Sequence, residues 1–326
     1  MQRTVPPHRT GLIGSQPIAP EFVAEKATSR RELGPSPGWL VAPSALWLVV
    51  FLVIPLASII IFSFWQSTGP EPERGFTLKF YLDYFQTEGF FDPSSNRFLN
   101  LSIFIRTLGT TFRFTLEVMA FCLILGYPIA YFLAMQVASF KWKMSLFLVC
   151  MVPFWTSYLI RAVAWIPMLG RRGLLNNFLL TLGIVDQPVS FLLYSEFGYT
   201  MALVQLYVVL SVGPIFFSLA KIDGSILEAA RDMGASPFQV FREIIFPLSL
   251  PGVAIGMIFI FVLIMGEFAT AVVVYGGKTA TAGTVILNYY AIANYSFAAV
   301  NSLMLMAAMM IGVIVILKLV NLRKEL

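Results

Sequence analysis

The sequence predicts an all-α, polytopic membrane protein with about six transmembrane helices. Of its 326 residues, 58% are hydrophobic and 12% are charged, whereas soluble domains average about 25% charged residues. The apolar residues form continuous runs, and a helix needs about 20 such residues to cross the hydrocarbon core. The alternating segments of about 10 residues that are typical of membrane β-barrels are missing from the sequence. The runs cover residues 39–65, 112–137, 144–168, 199–220, 252–275 and 298–320.

Polar segments around these runs set the predicted topology. Residues 1–38 are rich in Pro, Ser, Arg and Glu and lack an apolar period, so we expect a disordered cytoplasmic tail before a transmembrane domain over residues 39–326. Lys and Arg are enriched in cytoplasmic loops, and their bias favours both termini on the cytoplasmic side. The predicted cytoplasmic basic residues are Arg30, Arg31, Lys141, Lys143, Lys221, Arg231, Arg242, Arg323 and Lys324.

Composition argues against several classes of function. The net charge is +5, but the basic residues are not clustered with interleaved aromatics, so no nucleic-acid partner is expected. The only histidine, His8, lies in the polar tail, while Cys122 and Cys150 sit inside apolar runs without metal-site spacing. We therefore expect no catalytic residue, no metal and no cofactor, and we interpret the chain as a non-enzyme.

The polar interruption at residues 221–251 is the most informative segment of the chain. Ser225 is followed three residues later by Glu228, which is the spacing of a capping box at a helix start. Gly234 suits the left-handed position that ends a helix. The segment therefore begins with a short helix on the cytoplasmic face.

A second short helix is predicted directly after the first. Ser236 is its expected N-cap, Pro237 fits the first helical position, and Gln239 completes another capping box. Pro247 is expected to end this helix before the next membrane span begins. The two helices together form a compact helix–turn–helix, which can transmit a rigid-body push that a loose loop would absorb.

This segment resembles the EAA loop of binding-protein-dependent ABC permeases. The matching residues are Glu228-Ala229-Ala230, then Gly234, then Ile244-Ile245-Phe246-Pro247, with Phe246 in place of the leucine of the family pattern. The resemblance implies a type I ABC importer permease fold, in which the first short helix docks into a cytoplasmic ATPase subunit. It assigns ATPase coupling to Glu228, Ala229, Ala230, Gly234, Ile244 and Pro247.

Further segments resemble the spermidine/putrescine class of these permeases. They are residues 76–78, 126–131, 153–161 and 266–270, whereas residues 271–277 depart from the pattern of the class. The resemblance implies a multi-pass protein of the inner membrane, surrounded by lipid, that imports a small solute such as a polyamine. It also implies three kinds of protein partner, namely ATP-binding cassette ATPase subunits, a second permease subunit in a heterodimer, and an extracytoplasmic solute-binding protein.

Ionisable residues inside the apolar runs are candidate contacts for the solute, because charges within a bilayer are costly. Glu267 lies in the fifth run, either as a pathway carboxylate for a cationic amine or as a carboxylate tied to another helix or to the partner permease. Glu117 has Arg113 one turn before it, and we interpret the two as a self-neutralising pair. Arg161 is expected to extend to the outer interface.

Three aromatic residues of the third run are weaker candidates. Trp155, Tyr158 and Trp165 lie at about helical spacing. Aromatic faces attract ammonium groups, so these residues could line a path for a cation. The commoner interpretation is an aromatic belt at the membrane interface.

Other functions remain open at this point. The chain could carry another small organic solute, of an amino-acid-like, opine-like or phosphonate-like kind. A secondary transporter would also need membrane spans, but such carriers commonly show inverted repeats, which this sequence lacks. Gly277-Lys278-Thr279 is no phosphate-binding loop, because Val272 stands where that pattern needs glycine. An intramembrane enzyme is the third hypothesis.

Overall fold

A computed structural model of the protein describes residues 38–66, 73–85, 97–278 and 280–320. The chain divides into two units, of which the first ends at Pro55 and the second begins at Leu56. The predicted tail, residues 1–38, lies outside the described residues except for Gly38, where the first helix begins.

Helices make up most of the described chain. The helices are α1 (Gly38–Leu48), α2 (Ile54–Ser63), α3 (Lys79–Phe85), α4 (Arg97–Tyr131), α5 (Phe140–Met151), α6 (Tyr158–Val163), α7 (Trp165–Leu169), α8 (Leu174–Thr181), α9 (Glu196–Leu219), α10 (Gly224–Asp232), α11 (Pro237–Val240), α12 (Phe246–Met265), α13 (Ala269–Val273), α14 (Ala282–Ala291) and α15 (Tyr295–Val320). π-Helical turns lie at Val49–Val53, Phe132–Gln136 and Phe241–Ile245, and a 3₁₀ turn lies at Val152–Trp155.

Five helical segments of the described chain are long and apolar enough to cross a membrane. They are Val41–Ser63, Arg106–Gln136, Glu196–Leu219, Pro237–Met265 and Tyr295–Val320. A bent pair, Phe140–Trp155 with Tyr158–Thr181, makes a sixth if it is counted as one span. The prediction of an all-α membrane protein with about six spans is confirmed in this sense.

The third span is broken, whereas the sequence predicted one run over residues 144–168. Its two halves meet at an angle of 85°. The break follows the 3₁₀ turn that contains Pro153, and Thr156 and Ser157 then take extended ψ angles of 153° and 128°. Proline removes a helical hydrogen-bond donor, and the two extended residues cannot continue a helix.

The fifth span also differs from the predicted run over residues 252–275. It begins earlier, at Pro237, and ends earlier, at Met265. Gly266 and Glu267 interrupt the helix, and the short helix α13 follows. Hydrophobicity alone extended the prediction across this break, because the residues on both sides of it are apolar.

A small antiparallel ribbon adds a β element to the otherwise helical chain. Strand β1 (Trp65–Gln66) pairs with β2 (Glu73–Phe76). One hydrogen bond joins α2, which precedes the ribbon, to α3, which follows it, and another joins β1 to α15. The Tyr81 hydroxyl donates to Ser63 Oγ at 2.7 Å, and the Ser296 hydroxyl donates to the carbonyl of Trp65 at 2.6 Å.

The core of the second unit lies between α4, α9 and α12. Small residues permit close approach of these helices, which is the usual basis of helix packing in membranes. A Cβ at Gly252 would lie 2.5 Å from the carbonyl oxygen of Pro214, and one at Gly126 would lie 2.0 Å from Ser211 Oγ. Two thirds of the α9 span is buried (67%), against 6% of the α15 span. Helix α9 is therefore the central element, and α15 presents a large apolar surface to its surroundings.

Candidate functional site

The first predicted coupling helix is present as α10, but its cap is not the one expected. Asp223, rather than Ser225, is the N-cap, and its side chain accepts a hydrogen bond from the Ser225 N–H at 3.0 Å. The predicted capping box between Ser225 and Glu228 is wrong, because the helix starts at Gly224 and Ser225 is already inside its first turn.

The turn after α10 follows the prediction. Gly234 has a φ of +85°, which glycine adopts without the cost that a side chain imposes. The N–H of Ala235 reaches back to the carbonyl of Ala230 at 3.0 Å and closes the end of the helix. Ser236 and Gln239 then form the predicted capping box, with Pro237 in the first turn.

Pro247 does not end the second helix, in contrast to the prediction. Helix α11 passes through the π-helical turn Phe241–Ile245 into α12, so the second coupling helix and the fifth span form one helical segment. Pro247 is the second residue of α12. The π-helical turn changes the hydrogen-bonding register just before Pro247, and proline is tolerated in the first turn of a helix.

The coupling residues divide into a buried set and an exposed set. Ala230 is 5% exposed and packs in the same apolar core as Val240 and Ile245. Glu228, Ala229 and Gly234 are exposed, while Ile244 and Pro247 are half-buried. The hydrophobic cluster therefore holds α10 through Ala230 and leaves Glu228 and Ala229 at the surface.

Sequence reasoning missed three exposed apolar residues next to this motif. Met233 is 84% exposed, Phe238 69% and Ile226 47%. Exposed apolar side chains grouped on one surface are typical of a protein-binding site. Met233 and Phe238 flank the turn at Gly234, but Val240 close by is buried, so apolar character in the sequence did not single out the exposed residues.

Glu267 lies at the break in the fifth span and is 5% exposed. Tyr158 donates its hydroxyl to both carboxylate oxygens at 2.5 Å. The Tyr207 hydroxyl donates to Oε2 at 3.0 Å, and the backbone N–H of Thr270 donates to Oε1 at 2.6 Å. The carboxylate therefore ties α6 and α9 to the first turn of α13.

These hydrogen bonds compensate for burial of the carboxylate without a basic partner. Among the described residues, no Lys or Arg forms a salt bridge with Glu267. Hydrogen bonds to a charged group stabilise by about 1.5–3 kcal/mol each, so several of them offset much of the cost of desolvation. The backbone carbonyl of Glu267 also accepts a hydrogen bond from Thr281 at 3.2 Å, which fixes the break from a further side.

The three aromatic candidates do not share one helix face. The break in the third span separates Trp155, which is 74% exposed, from Tyr158, whose hydroxyl reaches Glu267. Trp165 is half-buried and begins the next short helix, α7. The structure thus joins Tyr158 to Glu267 and leaves the two tryptophans outside this cluster.

The predicted pairing of Arg113 with Glu117 is wrong. Arg113 Nη2 lies 2.6 Å from Glu196 Oε1, at the first turn of α9. Glu117 instead accepts a hydrogen bond from the Thr200 hydroxyl at 3.4 Å. A partner 83 residues away in the sequence is brought close by the packing of α4 on α9. The sequence prediction chose Arg113 as the partner of Glu117 because the two are one helical turn apart, and it could not identify the distant Thr200.

Arg161 does not extend to the membrane interface as predicted. Its Nη1 donates to the backbone carbonyl of Leu206 in α9 at 3.3 Å, and its Nε is buried without a hydrogen-bond partner. The bend after Pro153 redirects α6 toward α9, so the arginine packs inward.

Comparison with known proteins assigns the family. Residues 126–323 match the profile described as "Binding-protein-dependent transport system inner membrane component". The chain belongs to this family and is the membrane-spanning permease subunit of an ABC importer. It is accordingly a multi-pass protein of the inner-membrane class.

Several curated relatives share most of the chain. The spermidine/putrescine transport system permease protein PotB of Escherichia coli (strain K12) is 34% identical over 265 residues, which covers 81% of this chain and 90% of the relative. PotB of Salmonella typhimurium (strain SL1344) has the same identity and covers 86% of the relative. The inner membrane ABC transporter permease protein YdcU of Escherichia coli (strain K12) is 34% identical over 179 residues, or 52% of this chain and 56% of the relative.

Solved structures share the fold at lower identity. A bacterial ABC transporter involved in the import of the acidic polysaccharide alginate matches with a TM-score of 0.62 and 19% identity. The match covers 87% of this chain and 95% of the transporter chain. The type I importer permease fold implied by the sequence resemblance is consistent with this neighbour.

Proposed function

We propose that this permease imports polyamines such as spermidine and putrescine. The observation that carries the proposal is the 34% identity to spermidine/putrescine permeases over 81% of the chain. The family profile match over residues 126–323 includes the coupling segment and the spans on either side of it.

Energy for import comes from separate ATPase subunits that dock on the exposed side of α10 and α11. The docking surface comprises Glu228, Ala229 and Gly234 together with the exposed apolar side chains of Met233 and Phe238. Ala230, Ile244 and Pro247 lie behind this surface and connect it to the fifth span. ATP binding and solute loading then shift an equilibrium between inward-open and outward-open states.

A second permease subunit and an extracytoplasmic binding protein complete the importer. The apolar surface of α15 is covered by lipid or by the second permease subunit in this proposal. Both termini are placed in the cytoplasm, so that α10 and α11 face the ATPase subunits. The tail at residues 1–38 is a cytoplasmic extension of the transmembrane domain in this proposal.

The test is uptake by the complete importer. We expect cells that produce the permease with its companion subunits to accumulate labelled spermidine or putrescine, and a strain without the permease to lose this uptake. Neutral and anionic solutes, including an amino acid and an aminophosphonate, serve as competitors. If the complete importer moves only neutral or anionic solutes, the polyamine proposal is wrong, while the permease assignment stands.

A further inference from the structure

Helix α4 has three distinct faces in its outer half. One face packs on α9, where the rings of Phe114 and Tyr199 lie 5.0 Å apart. A second face, with Leu108, Phe112 and Leu116, lines an apolar cavity shared with α12 and α15. The third face carries polar side chains at a helical spacing of four, three and four residues, namely Arg106, Thr110, Arg113 and Glu117.

The third face is open in the isolated chain. Arg113 and its partner Glu196 have side chains that are 56% and 58% exposed. Glu117 is half-buried and lies one turn deeper along α4. A charge that faces lipid at the centre of a membrane helix costs about 2.5–3.5 kcal/mol by insertion scales, so a polar stripe over about three turns is expected to face water or another protein rather than lipid.

Glu117 is the carboxylate on this face that retains free hydrogen-bonding capacity. Its described contact is the Thr200 hydroxyl at 3.4 Å, which is long for an O–H···O bond. Arg113 is engaged by Glu196 at 2.6 Å and acts on Glu117 only at longer range. An ionised carboxylate can accept about four hydrogen bonds, so most of this capacity is open.

Glu267 differs from Glu117 in its exposure and in the number of its hydrogen-bond donors. It is 5% exposed and accepts hydrogen bonds from Tyr158, Tyr207 and Thr270. These donors occupy most of the hydrogen-bonding capacity of the Glu267 carboxylate, which leaves little of it for a cation. The more obvious intramembrane glutamate is thus occupied, and Glu117 is available.

We propose that the polar face of α4 lines the outer part of the solute path, and that Glu117 is the carboxylate that receives an amine group of the cationic solute. The role of Glu117 rests on the proposed function, because it requires a cationic solute. The claim that this face is exposed to water does not depend on which solute is carried. A charge-assisted hydrogen bond to an ammonium is among the stronger polar contacts in proteins. The Arg113–Glu196 pair keeps Arg113 from neutralising Glu117.

The first experiment tests for water at this face without any assumption about the solute. Cysteine is placed at Glu117 or at Leu116 in the complete importer with Cys122 and Cys150 replaced by alanine. A permanently charged thiol reagent is then added. We expect labelling at position 117 and none at position 116, which belongs to the apolar face of the same turn. Absence of labelling at position 117 would overturn the proposal.

The second experiment tests the role of the charge. We expect Glu117→Gln to reduce spermidine and putrescine uptake by about tenfold at equal membrane abundance, which corresponds to the loss of one charge-assisted hydrogen bond. Glu117→Asp should restore part of it, and excess spermidine should slow labelling of cysteine at position 117. Unchanged polyamine uptake in Glu117→Gln overturns the role of Glu117. If the wild type carries no polyamine, the proposed function fails, whereas the labelling result still decides whether the face lines an aqueous path.

Discussion

Glu267 was predictable from the sequence as a buried carboxylate, but its hydrogen-bond partners were not. The sequence identified a carboxylate in an apolar run, and burial at 5% exposure agrees with that expectation. It did not identify the donors, because Tyr158 and Tyr207 lie 109 and 60 residues away. Neither tyrosine carries a local signal that points to Glu267, since only the packing of α6, α9 and α13 brings them together.

Replacement of Glu267 by glutamine is predicted to lower stability rather than to alter solute preference. Gln keeps the size of the side chain but replaces a charge-assisted acceptor with a neutral one, and this should cost about 1–3 kcal/mol of the free energy of unfolding. The measurement is thermal unfolding of the purified protein in detergent, together with uptake at equal abundance. Tyr290→Phe, at a tyrosine that is 63% exposed, is the matched control and should leave the melting temperature unchanged. A stable Glu267→Gln variant with altered solute preference would contradict this prediction.

At the scale of elements, hydrophobicity located the spans but not their breaks. The third and fifth spans are interrupted at Thr156 and Gly266, within runs whose composition stays apolar. The break in the third span has two extended ψ angles, and the break in the fifth is held by hydrogen bonds from the distant helices α6 and α9. Neither kind of information is contained in apolar periodicity. The cap at Ser236 was predictable, because capping depends on residues only three positions apart.

Close packing of α9 on α12 is predicted to fail when a methyl group is added at Gly252. Its Cβ would lie 2.5 Å from the Pro214 carbonyl oxygen and 2.6 Å from Ser218 Cβ, so the helices must separate. We expect Gly252→Ala to destabilise the protein by about 1–3 kcal/mol, as overpacking does. Gly213→Ala in α9 is the control, because a Cβ there meets nothing within 4 Å. Equal melting temperatures for the two variants would show that this contact does not limit the packing.

Docking of the ATPase subunits is predicted to depend on the exposed apolar residues beside the coupling motif. Burial of a large apolar side chain stabilises by about 1.5–3 kcal/mol, so Met233→Ser or Phe238→Ser should weaken association by roughly tenfold or more. Glu228→Ala should act in the same direction. The measurement is co-purification of the ATPase subunits at equal permease abundance, with Ser225→Ala as the control on the same helix. Normal co-purification in all three variants would remove this surface from the interface.

At the scale of the whole molecule, the distribution of Lys and Arg among the loops predicts the orientation in the membrane. We predict that single cysteines at Ser236 and Ser190, in a background without Cys122 and Cys150, react from opposite sides. Both serines are exposed, and Ser190 lies in the segment before α9. A membrane-impermeant thiol reagent added to intact cells should label position 190 and spare position 236. Labelling of both positions, or of position 236 alone, would contradict the placement of both termini in the cytoplasm.

The class of protein was the feature that could be predicted most directly from the sequence. A short polar segment between apolar runs was sufficient to indicate the family, because the residues of its motif, from Glu228 to Pro247, lie close together in the sequence. The partners of the charged residues inside the apolar runs were less accessible. They were assigned by local spacing, which paired Arg113 with Glu117, whereas the fold pairs Arg113 with Glu196.

The helical segment from Pro237 to Met265, which includes the π-helical turn Phe241–Ile245, has a mechanical consequence for the importer. Its 29 residues extend about 43 Å at a rise of about 1.5 Å per residue. One end of the segment lies next to the N-cap Ser236, and the other stops at the Glu267 break. A tilt of about 5° about one end displaces the other by nearly 4 Å, which is more than the length of a hydrogen bond. If the ATPase subunits dock as proposed, a tilt imposed near Ser236 reaches the break in the span by way of the π-helical turn Phe241–Ile245.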